Sequence, residues 1–546
     1  MPRPLARIAI ATALMTPVAA LPSTEHEIRE LRSLIDEMKT QYERRIQELE
    51  SRLSKAEQEA HQSAQRSEAA AARAETAART AAIESRPMTA PTVVEPSEAQ
   101  SPKTVLGALT SGTAFNPQIS VFLDGNYYHD TIGGEGGSLV GRAFQPSRVF
   151  GDHGHDHGHG HDHGGHSHGA PVNGFNFTEA EIALTGTVDP YFDAALFLAV
   201  DGDGGVELEE AYFQTRALPA GLRVKGGKFL SDFGYINKQH PHQWDFADQN
   251  LPYLNLLGDH GLLDTGLQIT WLPKLPVYTL LGVEAFQGNQ EIFGTTLDGG
   301  EQTELGLGRT TDGPRLWTAF AKVSPNLPTH HALQFGLSYA HNTQHQEVHE
   351  HTHQHRHDDH HDHDHDHGHG HGHGHGHGHD HSHRVVVHRN GLAGDASLWG
   401  VDLVYKYDGG GAYGHRNLLF QTEYLRSIKD LTVRSSAHPE AIGSNRTFTT
   451  DGLYAQAVYG FAPRWTTGLR YDVLGLTNKI SGGRNDSFGS SDRWTFDVTW
   501  NLTEFSRLRA QYAYNNILES PGERERFDAF YLQFVMALGS HGAHAF

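Results

Sequence analysis

Arg493-Trp494-Thr495-Phe496-Asp497-Val498-Thr499-Trp500-Asn501-Leu502 alternates between polar and apolar residues without a break. A strand sends successive side chains to opposite faces, so Trp494, Phe496, Val498, Trp500 and Leu502 share one face, and Arg493, Asp497 and Asn501 share the other. A face of bulky aromatics in two-residue steps fits lipid, and the polar face then lines an interior. Phe530, Leu532, Phe534, Met536 and Leu538 repeat the pattern before the chain closes on His541-Gly542-Ala543-His544-Ala545-Phe546. Working outward from these two stretches gives about 16 such segments. Their centres fall near 122, 182, 196, 211, 226, 267, 282, 318, 336, 402, 422, 456, 469, 497, 511 and 533. The expected fold class is an all-β transmembrane barrel of about 16 antiparallel strands over 111–546, preceded by an N-terminal α-helical coiled coil.

The connections test the strand count. Even-to-odd links should be short turns, and the sequence gives Asp189-Pro190, Leu218-Pro219-Ala220-Gly221, Pro273-Lys274-Leu275-Pro276, 324–328, Ala462-Pro463 and Thr503-Glu504. The long insertions at 130–174, 234–261, 289–310, 345–396 and 477–490 all fall on odd-to-even links. Short turns at one end and long loops at the other are the asymmetry of a bacterial outer-membrane barrel, and a wrong count would scramble it.

Before the barrel the pattern differs. Arg3 and Arg7, an apolar run from Ile8 to Val18 and the small residues Ala19-Ala20 predict an export signal over 1–20. Ile28, Leu31, Ile35, Met38 and Tyr42, then Ile46, Leu49, Leu53, Ala56 and Ala60, form a coiled-coil seam within 21–85, expected in the periplasm. The two successive steps of four at Met38, Tyr42 and Ile46 are a stutter that locally unwinds the supercoil. Pro87, Pro91, Pro96 and Pro102 mark an extended linker over 86–110.

Composition narrows the chemistry. Among 546 residues there are 43 Lys+Arg, 65 Asp+Glu, 41 His and no Cys, for a net charge of −22. Without cysteine there is no disulfide scaffold or thiolate chemistry, so any metal must be held by imidazole and carboxylate. The acidic balance argues against a nucleic-acid partner. No Ser-His-Asp order or nucleotide loop stands out, and no enzyme is expected.

Two histidine tracts occupy long loops, which the parity places outside the cell, at 151–168 and within 341–383. The first offers His153, His155, His157, His159, His161 and His163. The second offers His361, His363, His365, His367, His369, His371, His373, His375, His377, His379 and His381, interspersed with Asp362, Asp364, Asp366 and Asp380. Imidazole suits Zn²⁺, Ni²⁺ and Cu²⁺, and no cofactor is otherwise required. Alternate residues of an extended chain lie roughly 6.5–7 Å apart, too far to share one ion, so the tracts must fold around metal to bind it. A second constellation lies in the loop after the fifth strand. There Pro241 separates His240 from His242, and Asp245, Asp248 or His260 could complete an open metal position, unless these polar groups only cap turns. Expected pore-lining residues are Glu179, Glu181, Asp402, Lys406, Arg470, Asp472, Arg493 and Asp497, which mix both signs.

The order of signal, coil, linker and barrel, with Lys225-Gly226-Gly227-Lys228-Phe229 leading into Asp232-Phe233-Gly234, resembles the phosphate-selective porin O and P group. That resemblance implies a trimeric diffusion channel of the outer membrane. Anion-selective members line the pore with basic ladders, from which the mixed charges here depart. The His240-Pro241-His242 segment and the histidine loops also resemble outer-membrane receptors described as zinc-regulated. The leading expectation is a passive outer-membrane channel for a divalent transition metal, zinc before nickel, copper or cobalt, as a homotrimer in contact with lipid. Alternatives are a general or anion-selective porin with pH-responsive loops, a TonB-dependent receptor with an energy-coupling partner, and a surface metal buffer.

Overall fold

The computed structural model describes residues 117–143 and 170–539, apart from 203, 296, 355–384 and 483–485. The leader, the coiled coil, the linker, the first histidine tract, most of the second and the final residues lie outside the described residues. The barrel falls within the second of two compact units, Lys103–Phe546.

The strands are β1 (Gln118–Asp130), β2 (Gly174–Thr187), β3 (Phe192–Val200), β4 (Val206–Thr215), β5 (Leu222–Leu230), β6 (Leu263–Trp271), β7 (Tyr278–Phe286), β8 (Leu316–Ser324) and β9 (His331–Gln354). They continue as β10 (Val385–Tyr407), β11 (Leu418–Ser435), β12 (Asn445–Ala462), β13 (Trp465–Leu474), β14 (Lys479–Ser481), β15 (Asp486–Ser487), β16 (Ser491–Thr503), β17 (Ser506–Ser520) and β18 (Glu523–Gly539). β14 and β15 make a small hairpin riding on β12. The other sixteen pair antiparallel in sequence order, β13 with β16 included, and β18 returns to β1 from Ser120 opposite Gly539 to Asp130 opposite Ala529. Closure removes every sheet edge, which is the condition for spanning lipid with strands. All sixteen centres expected from the sequence fall inside these strands.

The two faces separate as the alternation requires. Trp494 and Phe496 are 48% and 49% exposed, whereas their neighbours Arg493 and Asp497 are 2% and 1% exposed. Phe530, Leu532, Phe534 and Leu538 likewise face out. No described helix is long and apolar enough to cross a membrane. Phe496→Arg would carry a charge onto the lipid face and is expected to lower stability by about 2–4 kcal/mol near the bilayer midplane. Refolding into lipid vesicles across a urea series checks this, and an unchanged midpoint would mean that Phe496 does not meet lipid.

One sequence expectation is corrected. Residues 345–354 and 385–396 are strand and not loop, because β9 and β10 stay paired from Tyr407 opposite His331 to Val385 opposite Gln354, with one register shift between Gly394 and Ala396. The physical reason is that His345, Glu347 and His349 have the strand period themselves. Both imidazoles meet the Glu347 carboxylate, at 2.9 and 2.8 Å, and Lys429 of β11 closes on it at 2.6 Å.

At the long-loop end the interior is apolar. Helix α1 (Gly136–Gly141) and helix α2 (Leu251–Leu257) bring Leu139, Val140, Leu256 and Leu257 against Leu398, Leu425 and Ile517 of the wall. Asn250 caps α2 by accepting the Tyr253 N–H, Pro252 sits in its first turn, and the Asn255 amide donates to the Val140 carbonyl.

Candidate metal centre

The connection between β5 and β6, residues 231–262, folds into the lumen and is tied at each stage. Asn237 joins its two stems, donating to the carbonyls of Ser231 and Leu262 and accepting the Leu262 N–H at 2.7 Å. Glu423 of β11 accepts the backbone N–H groups of Tyr235 and Ile236 and the Tyr253 hydroxyl. Gly234 has φ +62, and a Cβ there would strike the Tyr253 hydroxyl and the Glu423 carboxylate. The glycine of Asp232-Phe233-Gly234 therefore serves a left-handed turn and a close approach together.

Beyond these anchors the loop faces an acidic wall built by β1, β2 and β4. On β4, Phe197 of β3 stands opposite Glu210 and Leu198 opposite Leu208, leaving Glu209 as the extra residue of a β-bulge. Strict alternation would send one of two consecutive glutamates outward, yet Glu209 and Glu210 are both buried. Asp124, Glu179 and Glu181 complete the wall from β1 and β2.

Into this wall the loop inserts two imidazoles. Pro241 opens a single 3-10 turn, Pro241–Gln243, which sets His240 and His242 side by side with ring centroids 5.8 Å apart and 24° between planes. Each rests on a ring of the wall, His242 on Phe122 at 3.8 Å and His240 on Phe197 at 4.8 Å. His240 Nε2 lies 2.8 Å from Glu210 Oε1, while the other Glu210 oxygen accepts the Leu230 N–H. A carboxylate so held keeps the proton on Nε2 and aims Nδ1 the other way.

Nδ1 of His240 lies 3.2 Å from Glu181 Oε2 and 3.4 Å from Glu209 Oε2, and the three ligand atoms are mutually within 4.8 Å. A tetrahedral ion with bonds of roughly 2.0–2.1 Å has ligand-to-ligand edges of about 3.3–3.4 Å. His242 Nδ1, 3.1 Å from the same Glu181 oxygen, stands next to the fourth position. Burial alone would lower the His240 pKa, but Glu181, joined by Glu209 and Glu210, raises it well above the ordinary histidine value. Burial pushes His242 the other way and keeps it neutral. A divalent cation arriving here would replace the second proton of His240 and neutralise an excess of carboxylate. Glu210→Gln keeps the acceptor for Leu230 but weakens the hold on His240. The expected loss of Zn²⁺ affinity is about 10–100-fold by titration, as for other outer-shell partners.

The far side of the loop meets the opposite sign. Asp248 lies 2.8 Å from Arg470 and 2.7 Å from Arg493, both of which also contact Asp472. Gln511 adds a bond to Asp248 at 2.7 Å. Arg509 donates to the Trp244 carbonyl at 2.9 Å, Arg507 donates to the His242 carbonyl, and the Arg470 guanidinium lies 4.5 Å from the Phe246 ring centroid. Burial opposes ionisation of Asp248, but Arg493 and Arg470 hold its pKa below the usual carboxylate value.

Sequence reading and structure differ on the ligand set. His240 and His242 come together as expected, but Asp245 and Asp248 do not join them, because the turn after Pro241 carries those residues to the basic side. Asp245 accepts from Gln456 at 3.0 Å, and His260 faces Glu207 at 3.8 Å. The groups within ligand distance of His240 come instead from the wall, as Glu181 and Glu209. Glu179, Glu181, Asp402, Arg470, Asp472, Arg493 and Asp497 all point inward, and the Lys406 ammonium lies 5.9 Å from the Tyr235 ring of the loop. Glu207, Glu209, Glu210 and Glu423 were not foreseen. The available signal was the doubled acid in Val206-Glu207-Leu208-Glu209-Glu210, a break of alternation that marks a bulge. His153, His155, His157, His159, His161 and His163, and His361 through His381, lie outside the described residues.

No family model matches the chain. An uncharacterized protein of Aquifex aeolicus (strain VF5) is 32% identical over 443 residues, covering 80% of this chain and 81% of its own length. The chain belongs to that protein's family. Solved structures similar to it are outer-membrane proteins. The anion-selective porin from Comamonas acidovorans is 10% identical with a TM-score of 0.42, covering 78% of this chain and 100% of its own. In-vitro folded OmpT of Vibrio cholerae is 9% identical with a TM-score of 0.41, covering 78% and 98%. The channel DcaP of Acinetobacter baumannii is 11% identical with a TM-score of 0.39, covering 78% and 97%.

Proposed function

We propose that this protein is an outer-membrane channel that admits divalent transition-metal ions, zinc foremost, past a carboxylate and imidazole site in its lumen. The observation that carries the reading is the set of Glu181, Glu209 and His240 ligand atoms, spaced 3.2 and 3.4 Å about one imidazole nitrogen inside a closed barrel. Mixed nitrogen and oxygen ligands favour zinc and its neighbours over the all-oxygen sets of calcium and magnesium. In this reading the long-loop end faces outward, the histidine tracts collect ions at the mouth, and the coiled coil trimerises the chain in the periplasm. An anion-selective channel would draw on the arginine wall, but Arg470 and Arg493 are already neutralised by Asp248 and Asp472, which favours cations.

The test is single-channel conductance of the purified protein in planar bilayers with and without micromolar Zn²⁺. The comparison pairs the intact chain with one lacking 355–384, a deletion that leaves the β9–β10 ladder whole. Zinc is expected to block or reshape the current in both, through the lumenal site, and at lower concentration when the tract is present. A current indifferent to zinc in both would overturn the reading.

A further inference from the structure

The acidic wall does not end at the inner site. One residue pair nearer the start of β4, Glu207 Oε2 lies 3.8 Å from His260 Nε2 of the loop, which repeats the pairing of a wall glutamate with a loop imidazole. The pair is also more open. The side chains of Glu207 and His260 are 30% and 19% exposed, against 7% and 6% for Glu209 and His240 and 0% for Glu181. Accessibility thus falls stepwise from Glu207 to Glu181.

A cavity of about 40 Å³ has both His260, the partner of Glu207, and Glu209, Glu210 and His240 of the inner group in its lining, together with Asp259. One water needs roughly 10–15 Å³ measured this way, so the space holds a hydrated ion with part of its shell. Tyr253 of α2 also lines it.

We propose that Glu207 and His260 form an outer loading site for a divalent transition metal, which delivers the ion through this cavity to Glu181, Glu209 and His240. The inference rests on the metal-channel reading and adds a second site and a direction of travel. Two protein ligands 3.8 Å apart, with water completing the shell, make a looser site than the inner one. Conduction through successive sites needs an entry position weak enough to release its ion. Lys228, 3.7 Å from the other Glu207 oxygen, holds that carboxylate until a cation arrives.

Crystals of the full chain soaked in Zn²⁺ test the site, read by anomalous scattering. Two lumenal peaks are expected, one between Glu207 and His260 and one at Glu181, Glu209 and His240. In His260→Ala the outer peak is lost and the inner one stays. In liposomes loaded with a zinc-sensitive dye, His260→Ala and Glu207→Gln should each slow Zn²⁺ entry at least tenfold. His260→Gln serves as a second variant should the alanine fail to fold. An inner peak without an outer one overturns the loading site but leaves the channel reading standing, whereas the absence of both overturns the two together. An outer peak with undiminished entry in both variants overturns the delivery role.

Discussion

Glu181→Gln is expected to lower Zn²⁺ affinity at the lumenal site by at least 100-fold, about 3 kcal/mol. The change keeps the size of the side chain but removes the charged oxygen that lies 3.2 Å from His240 and 3.1 Å from His242. The tracts would mask the effect, so the titration belongs in a background lacking 144–169 and 355–384. His240→Ala should lose as much, since it takes away the nitrogen around which the set is spaced. Asp245→Asn should change affinity less than threefold, because Asp245 faces Gln456 on the other side of the loop. Equal losses at Asp245 and Glu181 would mean that the site is diffuse acidity and not a ligand set.

Asp248→Asn is expected to release the loop. Asp248 meets two arginines whose side chains are almost wholly buried. Breaking a buried pair from one side costs about 3–5 kcal/mol, and the loss here falls at the lower end because both arginines keep Asp472. Single-channel conductance at neutral pH should rise at least twofold, and protease should cut within 231–262. The pH dependence follows from the same carboxylate. Its pKa in place is below its free value, so its stabilisation is complete above about pH 4 and is lost as pH falls through the lowered value. Wild-type protein should therefore open only on acidification below about pH 4, and the Asn variant should lack that transition. A variant with unchanged conductance would show that Glu423 and Asn237 hold the loop without help from Asp248.

The wall was legible because lipid imposes one rule on every outward residue. Trp494, Phe496 and Trp500 declare their face without reference to any other segment, and the short turns then fix the order of the strands. The lumen obeys no such rule. Asp245 and Asp248 stand as close to His242 in sequence as a ligand could. The direction of Asp248 is decided by Arg470 and Arg493 and that of Asp245 by Gln456, all more than 200 residues away, on strands whose inward faces show only mixed polarity. Helix α2 was hidden for a related reason. Leu251-Pro252-Tyr253-Leu254-Asn255-Leu256-Leu257 is apolar nearly all round, because it packs inside a barrel and has no solvent face to produce a period. The ladder of β9 and β10 was mistaken for loop because histidine repeats read as composition, although their two-residue spacing is also a strand's.

The bulge at Glu209 has a consequence for how this lumen can change over evolutionary time. Leu208 and Glu210 already sit opposite successive residues of β3, so loss of the single codon for Glu209 would heal the ladder. The strand number, the lipid face and the neighbouring turns would all be kept, while one carboxylate left the interior. Charge inside this barrel can thus be adjusted one length step at a time without passing through a misfolded intermediate. Relatives handling different cargo are expected to differ in the length of this strand before they differ in the residues around it.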